Sequence, residues 1–301
     1  MAETGGAYMH RIKKLFGGIE LTWKKLIVFA IIAGLFTAAM AILPATNDTS
    51  FEDITVYLDV WILFGILIIM NSKSPLDSAL KCFVFFLISQ PLVYLIQVPF
   101  SSLGWQIFGY YKYWFIWTLF TLPMGYIGYY MKKDKWWGLL ILAPILIILG
   151  IDYSNYLGKT VYLFPHHLLS ALFCAVTIAI YPLCIFNDKK VKTIGIIISI
   201  LIILAATVYA LVNRYTYNTT LLSNNGELGA VFDDSYKAYL EDDSFGKVEI
   251  VYNEAIEDYL LNAKLVKGGQ TRLILEDSKG SRKIYNLDIG YSKVDIAEVK
   301  S

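Results

Sequence analysis

The centre of the chain decides how the rest of the sequence is interpreted. Residues 114–130, WFIWTLFTLPMGYIGYY, and 136–151, WWGLLILAPILIILGI, are apolar runs separated by MKKDK at 131–135. A short lysine-rich loop between apolar runs, flanked by tyrosine and tryptophan, is typical of a cytoplasmic turn between two membrane-spanning helices. The centre therefore predicts a multi-pass membrane protein whose loop at 131–135 lies in the cytoplasm.

The composition agrees with a membrane protein. Hydrophobic residues make up 56% of the 301 residues and charged residues 17%, whereas an average soluble protein has roughly 45–50% and about 25%. The charges are sorted by region: residues 1–214 carry sixteen Lys and Arg against ten Asp and Glu, and residues 215–301 carry ten against fifteen. The preference for Lys over Arg, with abundant Ile, Tyr and Asn, favours a bacterial source and hence the plasma membrane.

Apolar runs predict seven transmembrane helices in an all-α bundle. The runs are 26–43, 56–70, 81–98, 114–130, 136–151, 167–186 and 193–212. Lys and Arg in short loops favour the cytoplasmic side. With the N-terminus inside, thirteen basic residues before the tail fall on the cytoplasmic side and three, Lys112, Lys159 and Arg214, fall outside. The pattern predicts an N-terminus in the cytoplasm and a C-terminus outside it.

The tail, residues 215–301, is predicted to be a small extracytoplasmic β-rich domain. Alternating runs at 271–276 and 283–289 are joined by DSKGS, which is a hairpin signal. Residues 253–266 fit either a helix or a strand. The tail has fewer than ninety residues and no cysteine, so its core is small for an independent domain.

Polar residues are predicted to gather at the outer end of the helices. Asp59 lies about one turn inside the second helix, Asp152 closes the fifth, and His166 and His167 open the sixth. Carboxylates and imidazoles at one membrane face can bind a divalent metal, relay protons or act as acid and base. The alternative is that these side chains simply meet headgroups and water at the interface.

Two amides are candidate intramembrane polar residues on the third predicted helix. Gln90 lies near its middle and Gln97 near its outer end, and a buried amide in a membrane needs a partner. Prolines interrupt four predicted helices, at Pro91, Pro123, Pro144 and Pro182. Broken helices that line a cavity are typical of transporters, although kinked packing helices without a cavity also fit.

Sequence motifs of known enzymes are missing. The chain contains no phosphate-binding loop, no His-Glu-x-x-His, no Gly-x-Ser-x-Gly and no basic, aromatic surface suited to nucleic acid. We therefore expect a membrane-anchored binding, sensing or accessory component without a cofactor, apart from a divalent metal at the outer cluster. The expected partners are the lipid bilayer and another membrane or extracytoplasmic protein. The alternative is a membrane enzyme or permease that uses the outer cluster.

Overall fold

The computed structural model describes residues 11–224, 231–254 and 257–299. The chain is mostly helical and ends in an antiparallel β domain. It divides into two compact units. The first comprises Met1–Ser154 and Leu169–Val208, and the second comprises Asn155–Leu168 and Tyr209–Ser301. Each unit is described by itself.

Long apolar helices dominate the described part of the chain. In order they are α1 (Trp23–Ile42), α2 (Ser50–Val56), α3 (Leu58–Met70), α4 (Pro75–Gln97), α5 (Phe108–Gly128), α6 (Trp136–Tyr162), α7 (Leu168–Ile185) and α8 (Lys189–Val212). Five of them, α1, α4, α6, α7 and α8, are long and apolar enough to cross a membrane. The pair α2 and α3, bent by 43°, makes a sixth span if it is counted as one.

All seven apolar runs are mostly helical, but the run 56–70 is interrupted at Tyr57 and several predicted ends are wrong. Helix α6 continues to Tyr162, so Asp152 lies inside the helix and does not close it. The prediction stopped at the first charged residue, although residues 152–162 contain no proline and remain helical. Helix α5 begins at Phe108, before the start of the apolar run at 114–130. Helix α7 begins at Leu168, one residue later than predicted.

Small residues let the helices of the first unit approach one another closely. A Cβ atom at Gly34 of α1 would lie 2.8 Å from the backbone oxygen of Ser89 on α4. A Cβ at Gly125 of α5 would meet the backbone of Ala79, also on α4, at 3.0 Å. In a lipid bilayer, burial of apolar side chains contributes little to the association of helices, so close van der Waals packing of their backbones contributes more. Glycines that allow such close approach are therefore typical of helix contacts in membranes.

The C-terminal strands form two antiparallel sheets. The strands are β1 (Tyr217–Ser223), β2 (Lys237–Leu240), β3 (Gly246–Asn253), β4 (Asp258–Leu265), β5 (Gly269–Glu276), β6 (Arg282–Ile289) and β7 (Val294–Glu298). One sheet has the order β1-β4-β3 and the other β2-β5-β6-β7. The predicted hairpin is confirmed as β5 and β6. Within the ambiguous range 253–266, Asp258–Leu265 form β4, which pairs with β1 on one edge and β3 on the other.

Alternate side chains of the strands build the core of the second unit. Leu273 of β5 and Tyr285 of β6 are paired across the sheet and are fully buried, as is Leu261 of β4. The end of α6 belongs to the same core, since Tyr162 is 1% exposed and its carbonyl accepts a hydrogen bond of 2.7 Å from the Gly268 amide. Residues 155–168 are therefore part of the folded β unit.

Candidate functional site

A break between α2 and α3 carries two buried carboxylates. Tyr57 adopts an extended conformation, with φ −83° and ψ −175°, and separates the two helices. Asp53 precedes the break and Asp59 lies in the first turn of α3, where the helix dipole favours a negative charge. Asp53 is 3% exposed and Asp59 is 1% exposed. Buried carboxylates need partners or a proton, because an isolated charge away from water is costly.

Asp59 meets a carboxylate from another helix. Its side chain lies beside that of Asp152, which projects from the part of α6 that belongs to the first unit. The Cys174 thiol of α7 lies near the same carboxyl group. The structure thus brings two of the predicted site residues, Asp59 and Asp152, together.

Helix α7 holds the other carboxylate of the break. The Ser170 hydroxyl donates a hydrogen bond of 2.6 Å to Asp53 Oδ2, and the Ser170 amide donates one of 3.1 Å to the hydroxyl of Ser50. Ser170 and Cys174 are four residues apart and therefore share one face of α7. That face presents a hydroxyl to Asp53 and a thiol to Asp59. We call Asp53, Asp59, Asp152, Ser170 and Cys174 the carboxylate cluster.

The carboxylate cluster is suited to holding a proton. A hydrogen bond between two carboxyl groups requires that one of them carries the proton, because two carboxylates have only acceptors. Two negative charges in contact also repel each other strongly in a poorly hydrated site. Direct hydrogen bonding between the Asp59 and Asp152 carboxyl groups would therefore require one proton shared by the pair.

The predicted divalent-metal site gains no support from the structure. In residues 11–224, 231–254 and 257–299, no group of three or more His, Cys, Asp or Glu side chains is arranged to hold a metal ion. His166 and His167 belong to the second unit, and Asp59 and Asp152 belong to the first. We derive no metal chemistry for this chain.

The two histidines have different surroundings within the second unit. His167 is 1% exposed, stacks on Tyr156 with ring centroids 6.5 Å apart, and meets the Tyr291 ring edge-on at 4.7 Å. His166 is exposed, and its ring lies 6.4 Å from that of Tyr291 in a T-shaped arrangement. His167 is thus an aromatic core residue of the β unit, and His166 is a surface residue.

The two candidate amides also differ. Gln90 is 3% exposed in α4, and its Nε2 has no hydrogen-bond acceptor among the described residues. Gln97 is partly exposed and donates from Nε2 to the Val93 carbonyl, one turn earlier, at 3.1 Å. The side-chain amide of Gln97 therefore finds a hydrogen-bond acceptor within its own helix.

Sequence reasoning missed three members of the carboxylate cluster. The predicted site residues did not include Asp53, Ser170 or Cys174. The sequence signal that could have identified them is residue spacing. Asp53 and Asp59 are six residues apart, and Ser170 and Cys174 are four residues apart on one apolar helix.

Comparison with known proteins adds no assignment. A scan against protein-family models, a search of curated proteins and a search of solved structures each gave no match. Function is therefore argued from the site.

Proposed function

We propose that this chain is an integral membrane protein of the bacterial plasma membrane that binds a proton between Asp59 and Asp152 and acts as a binding or sensing component. The observation that carries the proposal is the contact between these two carboxyl groups from α3 and α6, with Asp59 almost completely buried. Ionisable groups inside a membrane bundle are functional candidates by default, because they are costly to keep there.

Surface chemistry supports a membrane location. Large apolar side chains on the long helices are widely exposed, for example Ile32 at 58%, Leu201 at 59% and Val208 at 61%. Contiguous apolar surface of this kind is rare on soluble proteins. We further propose seven spans over residues 1–214 with a cytoplasmic N-terminus, and an extracytoplasmic domain over 215–301, on the charge distribution described above.

The proton would control the contact between α3 and α6. While the proton is bound, the Asp59 and Asp152 side chains attract each other; once it leaves, two like charges are in contact and favour separation of the helices. Cys174 and Tyr181 are titratable groups near this pair, and Asp53, which acts on Cys174, adds a further carboxylate charge to the region. This gives α3 and α6 two arrangements that differ by one proton.

Infrared spectroscopy of the full-length protein tests the proposal. With carboxyl-labelled ¹³C-aspartate, the C=O band of a protonated aspartic acid is resolved from the carboxylate bands. We expect this band in the wild type at neutral pH and its loss in Asp59→Asn and in Asp152→Asn, because an asparagine can donate to the remaining carboxylate without a proton. Asp48→Asn, which alters an exposed carboxylate near α2, is the matched control and keeps the band. A band that survives both substitutions contradicts the proposal.

A permease is the second candidate, and the break at Tyr57 favours it. Helices interrupted beside a polar site are typical of transporters, and Asp53 and Asp59 flank this break. Proton flux into liposomes that contain the reconstituted protein and a trapped pH dye distinguishes the two functions. Flux that Asp59→Asn abolishes identifies a permease, whereas absence of flux with an intact infrared band identifies a binding or sensing protein.

A further inference from the structure

A second polar region of the helical unit is basic. Near the start of the described chain, a half-open cavity of about 660 Å³ is lined by Lys13, Lys14 and Lys132, together with Gly17 and Asn187. Its remaining lining comes from the N-terminal segment, including Phe16, and from the ends of α3 and α7. All of these residues belong to the first unit. The volume is in the range of small-molecule sites.

The N-terminal segment is fixed over this cavity by specific contacts. The Ile19 amide donates 2.8 Å to Asn71 Oδ1, and Asn71 Nδ2 donates 2.6 Å to the Leu15 carbonyl. Phe16 is buried and packs edge-on against Tyr181 of α7 with ring centroids 6.1 Å apart. The lysines before Leu15 are therefore carried by an ordered segment.

The ammonium groups around the cavity are crowded. The ammonium group of Lys192, at the start of α8, is close enough to that of Lys13 to be repelled by it. Lys132 Nζ donates 2.7 Å to the Ser72 carbonyl and lies 4.6 Å from the centre of the Tyr129 ring. Burial lowers the pKa of the Lys132 ammonium, and the more distant Asp77 opposes that shift. Like charges in contact are unfavourable unless an anion lies between them.

Carboxylates do little to neutralise the lysines around this cavity. None of Lys13, Lys14, Lys132 and Lys192 makes a salt bridge to a carboxylate in the described part of the chain, although Asp134 acts on Lys192 from a distance. The oxygens of Asp134 accept hydrogen bonds from the amide and the side chain of Asn187, and Asp77 is paired with Lys81 at 2.7 Å.

We propose that the cavity lined by Lys13, Lys14 and Lys132, with Lys192 beside it, binds a phosphate-bearing anion. Phosphate oxygens accept several ammonium donors at once and supply the missing negative charge. Two sources share this chemistry: the headgroup of an anionic lipid, for which basic pockets at the cytoplasmic ends of membrane helices are suited, and a soluble phosphate ester.

Thermal unfolding of the full-length protein in detergent tests the site, since a ligand of the folded state raises the midpoint. The probes are phosphatidylglycerol, phosphatidylcholine and glycerol 3-phosphate. We expect phosphatidylglycerol to raise the midpoint of the wild type and phosphatidylcholine to leave it unchanged. A shift with phosphatidylglycerol alone identifies a lipid headgroup, and a shift with glycerol 3-phosphate as well identifies a soluble phosphate ester.

Paired variants separate a specific site from general charge attraction. Lys13→Gln/Lys192→Gln should weaken apparent affinity about thirtyfold, at roughly one factor of five for each lysine. Lys189→Gln/Lys190→Gln removes the same charge from exposed positions nearby and should keep the binding. The proposal is overturned if no anionic probe shifts the wild type or if both variants lose binding equally. If the first variant does not fold, Lys132→Gln takes its place, and unchanged binding there overturns the proposal.

Discussion

The carboxyl pair can be tested by a double-mutant cycle on Asp59 and Asp152. Each alanine substitution removes the hydrogen bond between them and leaves the other carboxylate without its carboxyl partner. A hydrogen bond to a charged group contributes about 1.5–3 kcal/mol to the free energy of unfolding. Each single variant loses this bond, and the double variant loses it only once. The sum of the two single-variant losses of stability should therefore exceed the loss in the double variant by the contribution of the bond.

The size of the expected coupling follows from this reasoning. If Asp59→Ala and Asp152→Ala each cost about 2–3 kcal/mol, the double variant should cost about 2–3 kcal/mol and not about 5, which gives a coupling energy of about 2–3 kcal/mol. Asp48→Ala combined with Asp152→Ala is the control, and its two effects should add within about 0.5 kcal/mol.

Reversible unfolding in sodium dodecyl sulfate, followed by tryptophan fluorescence, measures these energies. All seven tryptophans lie between residues 23 and 137, so the signal reports the helical unit. Additive effects of Asp59→Ala and Asp152→Ala, each clearly destabilising, would refute the proposed contact.

Three further predictions concern packing and buried polar groups. Leu261→Ala, in the fully buried core of the β unit, should lower stability by about 2–5 kcal/mol, and its shifted thermal transition in circular dichroism identifies the β unit. Tyr285→Phe should raise the same transition by about 1 kcal/mol, because the buried hydroxyl has no partner among the described residues. Burial and, to a smaller extent, Glu298 raise the pKa of Tyr285 above its ordinary value of 10.0. The unfolded state therefore loses this proton at a lower pH than the folded state, and wild-type stability falls as the pH rises above 10.0. Tyr285→Phe should reduce this fall in stability. Gly34→Val should destabilise the helical unit by about 1–3 kcal/mol, since its Cβ would meet the Ser89 oxygen at 2.8 Å, whereas Gly65→Ala, with open space around it, should change stability little.

Helices and the main hairpin could be predicted because their signals are local. Each of the seven apolar runs is helical, and the turn at 277–281 joins β5 and β6 as its composition indicates. Helix ends were less predictable. A change in polarity marked residue 151 as an end, but backbone hydrogen bonding continues to Tyr162 because residues 152–162 contain nothing that stops a helix.

Strands β1 and β2 have weak local signals, and residues 253–266 were ambiguous for a different reason. Strand β2 has only four residues and β1 shows no clear alternation of polar and apolar residues, so neither stands out. Residues 258–265 form a strand because β1 and β3 offer hydrogen-bonding edges on both sides of β4. Such pairing overrides a weak local preference.

By itself, the sequence determined that this protein has apolar helices followed by a β domain, because hydrophobic runs and alternation act over a few neighbouring residues. Only the tertiary structure decided which polar residues meet. It paired Asp59 with Asp152, joined Asp53 to Ser170, and assigned His167 to the aromatic core of the other unit. The physical reason is that these contacts join residues 93 or more positions apart along the chain. They depend on how helices pack, which no local pattern specifies.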